Sequence, residues 1–231
     1  MSKFQVSILS HNRRLMSIVP EAPHFKKIDL SKLDLDSELR NYLWCENSAY
    51  FSDEVLGDHE YLGLLTGSWD KKYQSPYTLD KFLEWPGIKR LLDGEDIVVC
   101  AVLGQTMAGS ALIFEDEDLV LFRKYVERIG LRFKTDWSLS RECPFSSQMV
   151  MSRDKFIETK EFMEKHLKGL MAAMSGSPNI HKHRYLAYFG ELLSMMWFDS
   201  KDWIYVPTQT QVRKHWYQRS VKNQSIAERL G

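Results

Sequence analysis

The sequence carries no charge bias: 31 Lys and Arg stand against 31 Asp and Glu, a formal net charge of zero. That balance argues against a dedicated nucleic-acid coat or membrane-surface binder, although a local basic patch is compatible with it. Cysteine is scarce. Cys45, Cys100 and Cys143 are odd in number and lack metal-ligand spacing, which points to free thiols in a reducing compartment. No apolar run approaches the roughly 18 residues of a membrane span, and the opening MSKFQVSILSHNRR has no long apolar stretch. The expectation is a soluble, cytoplasmic protein with no transmembrane segment. Internal repeats and low-complexity stretches are missing. So are a Gly-x-Gly-x-x-Gly or Walker motif, which counts against dinucleotide or ATP binding, a Ser nucleophile elbow, and a His-Glu-x-x-His pair.

What is present suits one large domain. The chain of 231 residues has ordinary apolar content, enough for a sizeable core, and no boundary divides it. Seven Trp exceed what core filling needs and suggest that some line a groove. Short apolar runs predict strands over 4–10, 60–66, 96–103, 145–151 and 203–206, the last ended by Pro207. Helical spacing predicts helices over 37–50, with Ser37 as N-cap, over 78–92 with an interruption at Pro86-Gly87, and over 118–130. Two more are expected over 152–174, capped by Ser152, and over 181–198; residues 18–36 read as a connection. Strands alternating with helices indicate an α/β architecture.

Polar residues with chemical potential gather at a few points. In 181–198, helical spacing puts His183, Ala187, Gly190, Glu191 and Ser194 on one small, polar face opposite a broad apolar side. Small residues let another backbone or a ligand come close, and Glu191 there could take a proton from an attacking hydroxyl. Alternatively, Glu191 pairs with Arg184 or His183 on a packed helix. Ser10, His11 and Arg13 follow the first strand, where open α/β folds bind nucleotides, or form a surface turn. Trp69, Asp70, Lys71 and Lys72 follow the strand at 60–66. Trp offers a flat face to a sugar or base and Lys a point charge to phosphate, unless this is an ordinary amphipathic loop. Asp116 and Asp118 are one residue apart and could hold a divalent ion, or simply favour the dipole of the following helix. The tail, 207–231, interleaves Arg213, Lys214, His215, Trp216, Tyr217, Arg219 and Lys222, which fits a phosphate-bearing or nucleic-acid partner, or a terminal helix over a core edge.

Taken in order, these segments resemble an uncharacterised glycosyltransferase domain family of bacterial capsule and lipopolysaccharide gene clusters. The resemblance runs from Phe4 to Phe198. It is carried by Ser10-His11 after the first strand, Asn47 to Tyr50 before Tyr61-Leu62-Gly63-Leu64, Glu115 to Leu119, Gln148 to Phe156, and Glu191-Leu192-Leu193. The chain departs from the family's His-Tyr-Arg-Arg-Tyr, having Thr66 to Tyr73 instead, and from two His before the acidic cluster, where Leu112-Ile113 stand.

The resemblance implies a compact GT-A-like nucleotide-sugar transferase fold, with a mixed central sheet flanked by helices in a single domain. It implies displacement at an anomeric carbon with a nucleoside diphosphate leaving. Ser10, His11, Arg13, Trp69, Lys71 and Lys72 would then bind the donor. Asp70, or Asp116 with Asp118, would hold Mn2+ or Mg2+. Glu191, with Asp116 second, would be the base, and His183 and Arg184 would face the cleft or acceptor. A surface glycan is the expected acceptor. Two rivals stand beside this reading: transfer onto hydroxylated bases in DNA, which requires base flipping in a duplex, and a non-catalytic carbohydrate- or protein-binding module.

Overall fold

Strands buried on both faces need a packed layer on each side, and β1 (Phe4–Ser10) and β3 (Tyr61–Thr66) are such strands. A computed structural model of the chain describes residues 2–10, 12, 16–66, 77–103, 115–132 and 143–211, with backbone alone at 41–42, 101–103, 143–147 and 209–211. Together with β2 (Phe25–Asp29), β4 (Ile97–Leu103), β5 (Cys143–Ser152) and β6 (Ile204–Gln211), the two strands form one six-stranded sheet of order β2-β1-β3-β5-β4-β6. β1 is parallel to β2 and β3, and β4 to β6, whereas β5 is antiparallel to both its neighbours. Five strands therefore point one way and β5 the other. This is the mixed, helix-flanked sheet expected of the chain.

One face of the sheet is covered by residues 78–92, in which a 3-10 turn, Leu79–Glu84, leads into a short helix, Pro86–Leu92. Pro86 opens that helix where its missing N–H costs nothing. Phe82 meets Phe4 edge-on at 5.5 Å, and the Tyr61 hydroxyl donates to Leu91 O at 2.6 Å. The helix at Pro86–Leu92 is α2, since α1 is the single turn Asn41–Trp44. The other face carries the 3-10 segment Cys45–Phe51 and two long helices, α4 (Arg153–Ala173) and α5 (Tyr185–Ser200). Outside them, α3 (Asp116–Arg128) packs on α4 and reaches α5 through Phe122 and Phe189, whose rings lie 5.2 Å apart.

The tryptophans divide by environment. Trp44 and Trp85 are sealed in the core with their indole N–H groups donating to Glu38 O and Thr78 O, each at 3.0 Å. Burying a large apolar side chain this fully is worth about 1.5–3 kcal/mol. Trp197 and Trp203 are half-buried, the first stacked on Phe162 at 3.9 Å. Core and core margin thus account for these four. Trp69, Trp137 and Trp216 lie outside the described residues.

Several boundaries differ from expectation, each for a local reason. The connection at 18–36 contains β2, a strand masked by Lys26 and Lys27; lysines are the usual guard of an edge strand, which β2 is. The helix expected over 37–50 is broken into the 3-10 turn Ser37–Leu39, α1 and Cys45–Phe51. Cys45, with a φ of 49°, interrupts the right-handed run between α1 and the rest of that 3-10 segment. Ser37 is not the cap, because Asp36 holds that position without a side-chain bond. Ser152 does stand at the cap position of α4, again without a side-chain bond.

At the other end, Pro207 does not end β6, whose pairing with β4 runs on through Pro207↔Cys100 to Gln211↔Leu103. An edge strand tolerates proline where no ladder N–H is needed. The first residues of the expected tail at 207–231 are therefore sheet, and residues from 212 onward lie outside the described ones. Cys45 and Cys100 are buried free thiols. Among the described residues no helix is long and apolar enough to cross a membrane.

Candidate functional site

Topology alone marks one place on the sheet. From β1 the chain passes to β2 on one side, while β3 lies on the other, so the strand order reverses between the carboxyl ends of β1 and β3. Such switch points are where open α/β sheets bind ligands. Ser10 ends β1 there. Its hydroxyl accepts from Asn12 N at 3.0 Å and its carbonyl accepts from Leu30 N at 2.9 Å, so Ser10 shapes the turn by which the chain leaves β1. Thr66 ends β3, its N–H held by the buried Gln148 side chain at 3.0 Å where β3 and β5 stop pairing. His11 comes directly after Ser10 in sequence, and Trp69, Asp70, Lys71 and Lys72 begin three residues past Thr66. These five, with Arg13, lie outside the described residues.

The helix α5 brings a second set of groups toward the same edge. Its last turn lies beside the start of β6, where the Tyr205 hydroxyl donates to Phe198 O at 2.7 Å, so its first turn is carried toward the carboxyl ends. The helix begins at Tyr185, not at 181. Arg184 precedes it with a φ of 64°, and His183 sits exposed on the turn before that. Ala187, Gly190 and Ser194 are buried, and what comes close to them is protein. Asn47 Nδ2 donates to Ala187 O at 3.1 Å, and a Cβ on Gly190 would stand 2.7 Å from that same nitrogen. The small face of the helix is thus the seat of segment Cys45–Phe51.

That seating creates a cluster of charge. Arg184 stands close enough to the Cys45 thiol to draw its pKa down, and Glu46 and Glu191 stand close enough to act on both. Burial pushes the Cys45 thiol up to about 11, with Arg184 pulling down and the two glutamates pushing up. Burial works against the charge of Arg184, but Cys45, Tyr188, Glu46 and Glu191 outweigh it and hold the guanidinium more firmly protonated. The guanidinium carbon lies 5.7 Å from the Tyr188 ring centre. Glu191 is half-buried, at the rim of this group. A carboxylate beside a fixed cation, near the carboxyl edge, is equipped to accept a proton from a bound hydroxyl. The sequence pointed to Glu191, Arg184 and His183; Cys45 and Glu46 it left unassigned. The pairing of Glu46 and Asn47, polar beside Trp44, was the available signal.

The acidic triplet at the start of α3 is split. Asp116 is exposed, whereas Asp118 is 2% exposed and its Oδ2 accepts from Tyr185 Oη at 2.5 Å and Asn179 Nδ2 at 2.9 Å. An oxygen so engaged anchors the start of the helix. Among the described residues no group of three or more His, Cys, Asp or Glu is placed to hold a metal.

No protein-family model and no curated protein matches the chain in sequence. Among solved structures, the apo form of WbbM, a bifunctional glycosyltransferase, matches with a TM-score of 0.62 at 15% sequence identity. The match covers 91% of this chain and 45% of that one, so the chain spans less than half the length of its structural neighbour. At this identity the likeness is one of fold. The six-stranded mixed sheet with its flanking helices is an architecture shared with a glycosyltransferase.

Proposed function

We propose that the chain moves a sugar from a nucleotide-sugar donor to a hydroxyl of a glycan acceptor destined for the cell surface. The observation that supports this most is the meeting of Arg184 and Glu191 with Cys45 and Glu46 toward the carboxyl edge of a sheet of glycosyltransferase-like fold. In this reading the Glu191 carboxylate takes the proton of the acceptor hydroxyl. The acceptor oxygen bonds to the anomeric carbon, the bond from that carbon to the diphosphate breaks, and its electron pair leaves with the nucleoside diphosphate. Arg184 and His183 line the acceptor side. The donor is held at the β1/β3 switch point by the turn at Ser10 together with His11, Arg13 and Trp69, with Lys71 and Lys72 compensating the diphosphate charge.

Of the acids expected to hold Mn2+ or Mg2+, Asp118 has one oxygen, Oδ2, engaged by Tyr185 and Asn179. Asp70, Asp116 and Asp118 are the candidates, and no step above runs through a metal. A cytoplasmic setting agrees with the free thiols of Cys45 and Cys100.

A thermal-shift screen of sugar nucleotides, with and without Mn2+ or Mg2+, tests the reading. At least one should raise the melting temperature, since a ligand that binds only the folded state stabilises it by mass action. No shift with any nucleotide would favour a non-catalytic binding module instead.

A further inference from the structure

A carboxylate in the first turn of a helix ordinarily lies at the surface and complements the helix dipole. Asp118 is instead drawn inward, into a polar cluster with Ser177, Asn179 and Tyr185, all of them buried. Tyr185 Oη and Asn179 Nδ2 both donate to its Oδ2, and Asn179 N donates to Ser177 Oγ at 3.1 Å. The cluster therefore ties the start of α3 to the turn that leads into α5. Its far end, Tyr185, is the residue directly after Arg184.

Arg184 needs such a tie. A non-glycine residue at a φ of 64° is held there at a cost that its surroundings must offset. Arg184 Nε is moreover sealed from solvent with no hydrogen-bond partner among the described residues, a further cost of the same conformation. The guanidinium stands near the Cys45 thiol; the Asp118 cluster, through Tyr185, secures the backbone next to it.

We propose that Asp118 and Tyr185 form a positioning clasp, which holds Arg184 in its left-handed conformation and thereby sets where the guanidinium stands against Cys45 and Glu191. Neither residue touches the reacting atoms. Their effect on transfer rests on the glycosyltransferase reading, but the clasp itself can be tested without substrate.

The test is hydrogen exchange at Arg184 Nε–H, followed by 15N NMR in the ligand-free protein, with the buried Trp85 indole N–H as internal reference. Trp85 lies in the layer on the opposite face of the sheet and donates to Thr78 O. Tyr185→Phe should speed exchange at Arg184 by about tenfold or more, which corresponds to about 1.4 kcal/mol of lost protection, and leave Trp85 unchanged. Asp118→Asn keeps an acceptor for Tyr185 and should produce a smaller change of the same kind; it also serves if the Phe variant fails to fold. Unchanged exchange at Arg184, or acceleration shared equally by Trp85, overturns the clasp. Because no sugar nucleotide enters the experiment, a failure of the clasp is distinguishable from a failure of the proposed activity.

Discussion

Arg184 and Cys45 stand close enough for the guanidinium to draw the thiol's pKa down, and among the described residues they are the two non-glycine positions with positive φ. Each conformation costs on the order of 1–3 kcal/mol, and such costs collect where function demands a fixed geometry. One ends the stretch before Tyr185, the other breaks the helix expected over 37–50. Their meeting is what joins Glu46 and Glu191 to one cation.

Cys45 should be a poor nucleophile. With its thiol pushed up to about 11, alkylation at pH 8 should run at least ~10-fold slower than for an open thiol near pKa 8.5, even allowing for the greater intrinsic reactivity of a more basic thiolate. The raised value means that the stabilising contribution of the protonated thiol is present below its unfolded pKa and lost as pH climbs through about 11. Alkylation followed by peptide mass mapping checks the rate; fast labelling at Cys45 would remove the buried placement.

Asp118→Ala should cost about 2–4 kcal/mol in denaturant unfolding at pH 7, because it strands the Tyr185 hydroxyl and the Asn179 amide without their shared acceptor. Burial alone would raise the Asp118 pKa, but hydrogen bonds from Tyr185 and Asn179, the nearby Ser177 and the charge of Lys182 outweigh it and lower the value. A lowered carboxylate contributes stability above its unfolded value near pH 4, lost as pH falls through the folded one. The gap between wild type and Asp118→Asn should therefore narrow below about pH 4. A gap that stays constant down to pH 2 would contradict an ionised, hydrogen-bonded Asp118.

Much of the sheet was legible because its signals are local. β1, β3 and β4 are short apolar runs with polar ends, and Pro86, read as an interruption of one helix, is where the 3-10 turn Leu79–Glu84 gives way to α2. β2 was hidden because an edge strand uses lysines for protection, which a reader of hydrophobic patterns takes for a loop. The break at Cys45 is not encoded by glycine or proline, so it shows only once Arg184 is seen against it. The role of Asp118 depends on Asn179 and Tyr185, and no spacing rule connects residues so far apart. The small residues of α5 signalled a close approach correctly in kind, but their pattern does not say whether protein or ligand makes it; Asn47 does.

Gly190→Ala should destabilise the fold by about 1–3 kcal/mol, the usual range for an extra methyl in a packed core. Its Cβ would lie 2.7 Å from Asn47 Nδ2 and 2.9 Å from Leu167 Cδ2, forcing the Asn47 amide off Ala187 O. Equilibrium urea unfolding reads the loss, and a variant as stable as wild type would show that segment Cys45–Phe51 is not seated on this face.

The most direct measurement of the account is sugar transfer from a nucleotide-sugar donor by wild type and Glu191→Gln side by side, with nucleotide affinity and melting temperature taken on the same samples. The expected result is an unchanged fold and donor affinity with kcat lower by about 100-fold or more, the range for removal of a general base. Full transfer by Glu191→Gln would contradict the assignment of the base, and no transfer by wild type from any sugar nucleotide would contradict the glycosyltransferase reading itself.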